Sequence, residues 1–172
     1  MLYLVHRISA GRRLKMTFSP PVTGSTVENF EIPATGNTVF RLSDCHGRTV
    51  VLYFYPKDST PGCTTEAQQF RDLYPAFEEI GCIIVGISRD SVKSHENFKL
   101  KQDLPFALLS DTDETLCTRF GVIKEKKLYG KLVRGIERST FIIDRLGTLR
   151  REWRGVKAPG HAQEVLDFVK TL

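Results

Sequence analysis

Residues 49–55, TVVLYFY, form an unbroken run of β-branched, aliphatic and aromatic side chains, closed by Pro56. Such a run reads as a strand buried on both faces, because a half-exposed strand would alternate apolar with polar residues. After a loop, Ala67, Phe70, Leu73, Phe77 and Ile80 recur at spacings of three and four, the stripe of an amphipathic helix. Pro75 lies inside this pattern and predicts a kink or restart near Tyr74, since proline lacks an N–H and crowds the preceding turn. Gly81 ends the helix, and residues 82–88, CIIVGIS, repeat the signature of a buried strand. Strand, helix and strand at this spacing make a right-handed βαβ unit with parallel strands. An α/β architecture follows.

The other segments extend that unit. Residues 30–42 alternate loosely and residues 44–47 read as a turn, which predicts a strand leading into a hairpin there. Residues 91–101 read as a helix capped by Ser91, residues 106–109 as a short strand, and residues 113–120 as a short helix stopped by Gly121. Residues 140–143 and 148–153 read as strands joined in a hairpin. Residues 160–170 close the chain as an amphipathic helix, with Ala162, Val165, Leu166 and Val169 on one face. This order is the thioredoxin-like plan, a central mixed β-sheet flanked by helices. At 172 residues the chain suits one domain with a full core. The reading places that domain at residues 27–172, behind a flexible N-terminal extension at residues 1–26 whose last part carries Pro20, Pro21 and Gly24.

The formal net charge of +5 is unevenly spread: Arg7, Arg12, Arg13 and Lys15 face no acid within residues 1–16. The domain itself is therefore nearly neutral and carries no nucleic-acid footprint. His6 and Arg7 interrupt the opening apolar stretch, unlike a secretory signal. The segment reads as a tail, or as an over-long start ahead of Met16, in preference to a very short organelle transit peptide. No run approaches the roughly 20 apolar residues that span a bilayer. A cytoplasmic location is expected.

The four cysteines, Cys45, Cys63, Cys82 and Cys117, form no C-x-x-C pair. That argues against a disulfide scaffold and a zinc site, and fits a reducing compartment. No metal or organic cofactor is called for. Cys63 stands apart because it follows Pro61 and Gly62 and opens the first long helix. A helix start offers free N–H groups and the positive end of the dipole, and in such places a thiol pKa falls from near 8.5 to roughly 3.5–7.5. The position also lies at the C-terminal end of a parallel strand, where open α/β sheets hold their ligand crevices. An unpaired cysteine is more often a small buried hydrophobe. The proline- and threonine-rich loop around Cys63 opposes that reading.

The stretch YPKDSTPGCTTEA, residues 55–67, resembles the peroxiredoxin active-site pattern of Pro, then Thr, then Cys. Its wording is similar to the bacterioferritin comigratory protein, or peroxiredoxin Q, group. GISRDS, LLSDTD, VIKEKKLYGK and GIERSTFIID resemble the same group, so the likeness runs from about Val27 to the C-terminus. It implies a thiol-dependent peroxidase that reduces hydrogen peroxide and organic hydroperoxides in antioxidant defence. Cys63 would be the peroxidatic thiolate, oxidised to a sulfenic acid. Thr60 would hold the peroxide, and Pro56 would shield the sulfur. Arg138 matches the group's second-strand arginine, and the fold plan sets the start of its strand at the pole where strand 49–55 ends. A guanidinium there offers several donors to a thiolate and a developing oxyanion. Glu66 either orients Arg138 or caps the helix, and Trp153 and Tyr55 read as packing residues. The resemblance further implies a monomer, no nucleic-acid or membrane partner, and electrons from thioredoxin, glutaredoxin or glutathione. Two other readings compete. A thioredoxin-like disulfide oxidoreductase would want C-x-x-C where this chain has Thr60-Pro61-Gly62-Cys63, and a peroxide sensor would use the same thiol.

Members of the group often place a resolving cysteine five residues after the first, where this chain has Gln68, or on the helix after the second strand, where residues 91–101 hold none. Cys45 and Cys82 precede core strands and fall at the opposite pole, on the order of 20 Å away at about 3.3 Å per residue. Cys117 is the candidate resolving cysteine, although bridging needs Cα atoms within about 7 Å and hence local unwinding. A one-cysteine mechanism and a disulfide between chains are the alternatives.

Overall fold

The computed structural model describes residues 19–172. What the sequence suggests for residues 1–18 lies outside the described residues. Strand β3 (Thr49–Phe54) is buried along its whole length. The hairpin of β1 (Glu31–Ala34) and β2 (Thr38–Arg41) forms one edge of its sheet. On that side β3 pairs in parallel with β4 (Cys82–Ser88), which pairs in parallel with β5 (Ala107–Ser110). A separate antiparallel arm of β6 (Ile123–Leu128) and β7 (Lys131–Ile136) precedes β8 (Ser139–Ile143) and β9 (Leu149–Arg154), which extend the sheet antiparallel on the other side of β3. The order is β2-β1-β5-β4-β3-β8-β9, a mixed sheet of the thioredoxin-like kind.

Alternation along β3 divides the interior into two cores. Val50, Leu52 and Phe54 face Phe120, Phe141 and the short helix α3 (Thr115–Arg119). Val51, Tyr53 and Tyr55 face the other way, under α1 (Pro61–Glu79), α2 (Val92–Gln102) and α4 (His161–Val169). Gly86 of β4 makes room for Tyr53: an added Cβ would lie 2.7 Å from the ring. The ring stacks on Phe70 of α1 at 4.7 Å, which seats the helix on the sheet. As predicted, Ser91 caps α2, its hydroxyl accepting from the Ser94 N–H.

Four features depart from the sequence reading. The first hairpin turns at residues 35–37, where Gly36 and Asn37 take positive φ, while Leu42–Cys45 wind into a 3₁₀ turn. Helix α1 passes through Pro75 without a break. Pro75 is exposed, and buried Phe70 and Phe77 hold the helix on either side, so the one helical hydrogen bond that the proline forgoes does not break it. Residues 24–26 are not a free tail. The Gly24 N–H donates to the Leu149 carbonyl at 2.7 Å, the Leu149 N–H to the Ser25 carbonyl, and Thr26 bridges Thr148. Finally, the arm β6–β7 escaped the reading because most of its residues are exposed on both faces and show no apolar alternation. Tyr129 and Gly130 turn it, both with positive φ. Among the described residues, no helix is long and apolar enough to cross a membrane.

Candidate active site

Strand β3 delivers the chain to the pole of the sheet at Tyr55, and residues 56–60 turn it back into α1. Thr60 is the N-cap residue of α1, but its hydroxyl donates to the Lys57 carbonyl at 2.8 Å and not to the helix. The first turn of α1 therefore has no side-chain cap, and its leading amides keep the free donors of a helix start. Cys63 sits in that turn, 2% exposed, among Tyr53, Ala67 and Phe70.

Strand β8 brings Arg138 to the same pole, because Ser139 pairs with Phe54. The Arg138 guanidinium then spans two partners. Nη2 donates to Cys63 Sγ at 3.3 Å, and Nη1 donates to Glu66 Oε1 at 2.9 Å. Gly62 lets the arginine in: a Cβ there would lie 3.1 Å from Nη2. Glu66 is fully buried, and burial pushes its carboxyl up to about 7 against the pull of Arg138. Arg138 itself loses by burial, yet Glu66 and Cys63 together hold it above its ordinary value. The two directions are compatible, since an arginine does not give up its proton and the cost of burial falls on the carboxyl. Glu66 Oε2 and the Tyr53 hydroxyl lack partners, and burial, then Glu66 and Cys63, raise the Tyr53 phenol. The result is a buried sulfur with a fixed cation at one side and a helix start beneath it, an arrangement suited to nucleophilic attack that expels an oxyanion.

A family model described as AhpC/TSA matches residues 23–152. The chain belongs to the AhpC/TSA family. It is 53% identical over 143 residues to Peroxiredoxin Bcp of Xanthomonas campestris, covering 82% of this chain and 89% of that protein. It is 47% identical to Peroxiredoxin Bcp of Bacillus subtilis, covering 87% and 95%. Among solved structures, Peroxiredoxin Q from Xylella fastidiosa, a cysteine-to-serine mutant, superimposes with a TM-score of 0.84 at 47% identity, covering 89% of this chain and 98% of that one. As a member of this family, in its bacterioferritin comigratory or peroxiredoxin Q group, the chain is a thiol-dependent peroxidase.

Within this AhpC/TSA fold the sequence-predicted residues do not all gather equally. Cys63, Arg138 and Glu66 touch. Thr60 stands at the head of the same helix, with its hydroxyl proton committed to Lys57. Pro56 is exposed at the end of β3. Cys117 lies apart from the site: it packs in the core on the far face of the sheet, with Leu116 and Phe120, whereas Cys63 belongs to the near face. A direct bridge would have to pass the sheet, so the fold as described offers Cys63 no resolving partner at that position. Burial, then Asp111, pushes the Cys117 thiol up. Cys82 opens β4 opposite Thr49, at the other pole, and burial raises its thiol to about 12. Burial also raises Cys45.

The sequence reading missed one cluster. Asp58, Asp90 and His95 offer ligand atoms within 4.8 Å of one another. The ring nitrogens of His95 are both engaged, Nδ1 with Asp58 Oδ2 and Nε2 with the Leu109 carbonyl, so a cation would have to displace existing bonds. The one signal in the sequence is a histidine three residues before Phe98 on the same face of a helix.

Proposed function

We propose that Cys63 is the peroxidatic residue and that it works without an internal resolving cysteine. The observation that carries this reading is the Arg138–Cys63 contact at a helix start, in a chain whose other thiols lie across the sheet or at its far pole. The sulfur attacks one oxygen of a hydroperoxide, an S–O bond forms and the O–O bond breaks. The departing oxygen takes a proton and leaves as water or an alcohol, and Cys63 becomes a sulfenic acid, having given up two electrons. The Thr60 hydroxyl proton points to Lys57, so its oxygen is free to accept from the hydroperoxide O–H. Arg138 Nη2 and the first amides of α1 stabilise the charge that grows on the leaving oxygen. Pro56 limits water at the mouth of the site.

An external thiol then attacks the sulfenic sulfur, releasing water and leaving a mixed disulfide. A second thiol frees Cys63 and carries away the disulfide. Thioredoxin, glutaredoxin or glutathione chemistry would serve. Substrates are hydrogen peroxide and organic hydroperoxides, the protein acts as a monomer, and a reducing cytoplasm suits its free thiols.

The test is intact mass after one equivalent of hydrogen peroxide, on wild type and on Cys63→Ser. The expected result is gain of one oxygen in wild type and none in the variant. Equal responses would overturn the assignment of Cys63, and loss of two hydrogens in wild type would overturn the one-cysteine mechanism.

A further inference from the structure

Asp58 is the one buried residue in the exposed stretch 56–59 that leads to the active helix. Its carboxylate is fully engaged. Oδ1 accepts from the buried Tyr55 hydroxyl at 2.6 Å, and Oδ2 accepts from Ser94 Oγ at 2.8 Å and pairs with His95 Nδ1 at 2.7 Å. Nε2 of His95 meets the Leu109 carbonyl at 2.9 Å. Both ring nitrogens therefore face oxygen partners, and the imidazole bridges the Asp58 carboxyl and the Leu109 carbonyl. His95 is completely buried. The backbone joins in: the Asp58 N–H donates to Asp90 Oδ2 at 3.0 Å, and Asp90 is fixed by Ser88 Oγ at 2.5 Å. The ends of β4 and β5 and the first turn of α2 thus converge on one residue of the loop.

The links from Asp58 onward to the sulfur are stiff. Ser59 holds a positive φ of 61°, the Thr60 hydroxyl closes the turn onto Lys57, Pro61 occupies the first position of α1, and Cys63 follows in the same turn. We propose that His95, through its contact with Asp58, is a positioning residue that clasps the loop of residues 57–60 and thereby sets Cys63 against Arg138. The proposal rests on the reading of Cys63 as the peroxidatic thiol and deepens it. It also assigns the clasp a second consequence. Cys63 is 2% exposed, so a protein thiol reaches its sulfenic acid only when the loop opens, and the clasp sets how often it does. Loss of the clasp slows the peroxide step, which needs alignment, and does not slow the reduction step, which needs access.

The experiment compares wild type with His95→Leu, His95→Gln and Asp58→Asn. Three quantities are read: the second-order rate constant with hydrogen peroxide, the rate at which thioredoxin reduces the oxidised protein, and amide exchange resolved by segment. His95→Leu should lower the peroxide rate constant about tenfold or more. It should leave the thioredoxin step unchanged or faster, and speed exchange over residues 57–64 while β4 and β8 keep their protection. Asp58→Asn should behave alike, and His95→Gln, which retains one donor, should fall between. A peroxide rate constant equal to that of wild type in His95→Leu would overturn the proposal, as would exchange that rises equally in loop and sheet. If His95→Leu does not fold, His95→Gln decides by the same measurements. If wild-type protein consumes no peroxide, or Cys63→Ser consumes it as well as wild type, the peroxidase reading of Cys63 is what fails. The exchange data then still decide whether His95 holds the loop.

Discussion

Replacing Gly62 by alanine should separate activity from stability in this enzyme. Gly62 sits in the first turn of α1 without positive φ, so alanine is compatible with the backbone. Its new Cβ would stand 3.1 Å from Arg138 Nη2, short of the 3.4 Å at which ordinary contact begins. The helix start is covalently fixed between Pro61 and Cys63, so the guanidinium must give way by about 0.3–0.5 Å. A misplacement of about 1 Å in a reacting group costs on the order of a hundredfold in rate, and scaling that in free energy puts this shift at about four- to tenfold. Stability should move the other way. Alanine is favoured over glycine in a helix by roughly 0.5–1 kcal/mol, which in a chain of this size raises Tm by about 1–4 °C. The assay pairs stopped-flow consumption of hydrogen peroxide with thermal unfolding of the same sample. An unchanged rate constant at an equal or higher Tm would refute the view that the position of Arg138 limits the reaction. A Tm lowered by several degrees would refute the steric account, because among the described residues the close atoms belong to Arg138.

Two further perturbations test the surroundings of the site. The Glu66 carboxyl stands at about 7 in the folded protein against 4.5 unfolded, so between those values the folded state binds more protons and stability falls as pH rises. Glu66→Gln should flatten the urea midpoint across that window, with a wild-type loss of up to about 3 kcal/mol, and identical slopes in the two proteins would show that Glu66 stays ionised. Gly86→Ala would place a Cβ 2.7 Å from the Tyr53 ring and 2.9 Å from Leu108. With Tyr53 stacked on Phe70 and Tyr55, neither neighbour has an easy retreat, and chemical denaturation should report a loss of about 1–3 kcal/mol; a neutral result would mean that the stack slides.

The parallel core was readable because burial on both faces leaves a mark in composition: β3 and β4 are continuous apolar runs, and a run of that kind has few other fates. The arm β6–β7 left no such mark. Its strands expose Lys124, Lys126, Lys127, Lys131 and Arg134, and exposure removes the alternation by which a hairpin is read. Pro75 misled for a related reason. Local propensity speaks for a break, whereas the buried Phe70 and Phe77 that span it speak for continuity, and packing prevailed. At the site, Cys63 stood out by its place at a helix start, whereas Arg138 was named by the family resemblance, and the antiparallel course of β8 against β3 accounts for where it lies. Asp58 and His95 were not. Their partnership spans 37 residues and depends on the depth to which a loop is drawn in, and neither spacing nor periodicity encodes that.

Strand alternation also bears on how the enzyme is reduced. A cysteine can resolve the Cys63 sulfenic acid only from the same side of the sheet and the same end of its strands. Cys117 meets the second condition and fails the first, because α3 packs against Phe54 and Phe141 on the far face. Cys82 meets the first and fails the second, opposite Thr49 at the other end of β3, on the order of 15 Å along the strand at about 3.3 Å per residue. Cys45 fails both, packed near Val50 on the far face. In the fold as described, each thiol is held away from Cys63 by the direction of one strand or the parity of one residue. On the proposed clasp, opening of residues 57–60 would expose Cys63 to solvent. This agrees with the proposed reduction by an external thiol, whose access the proposed clasp on Asp58 would regulate.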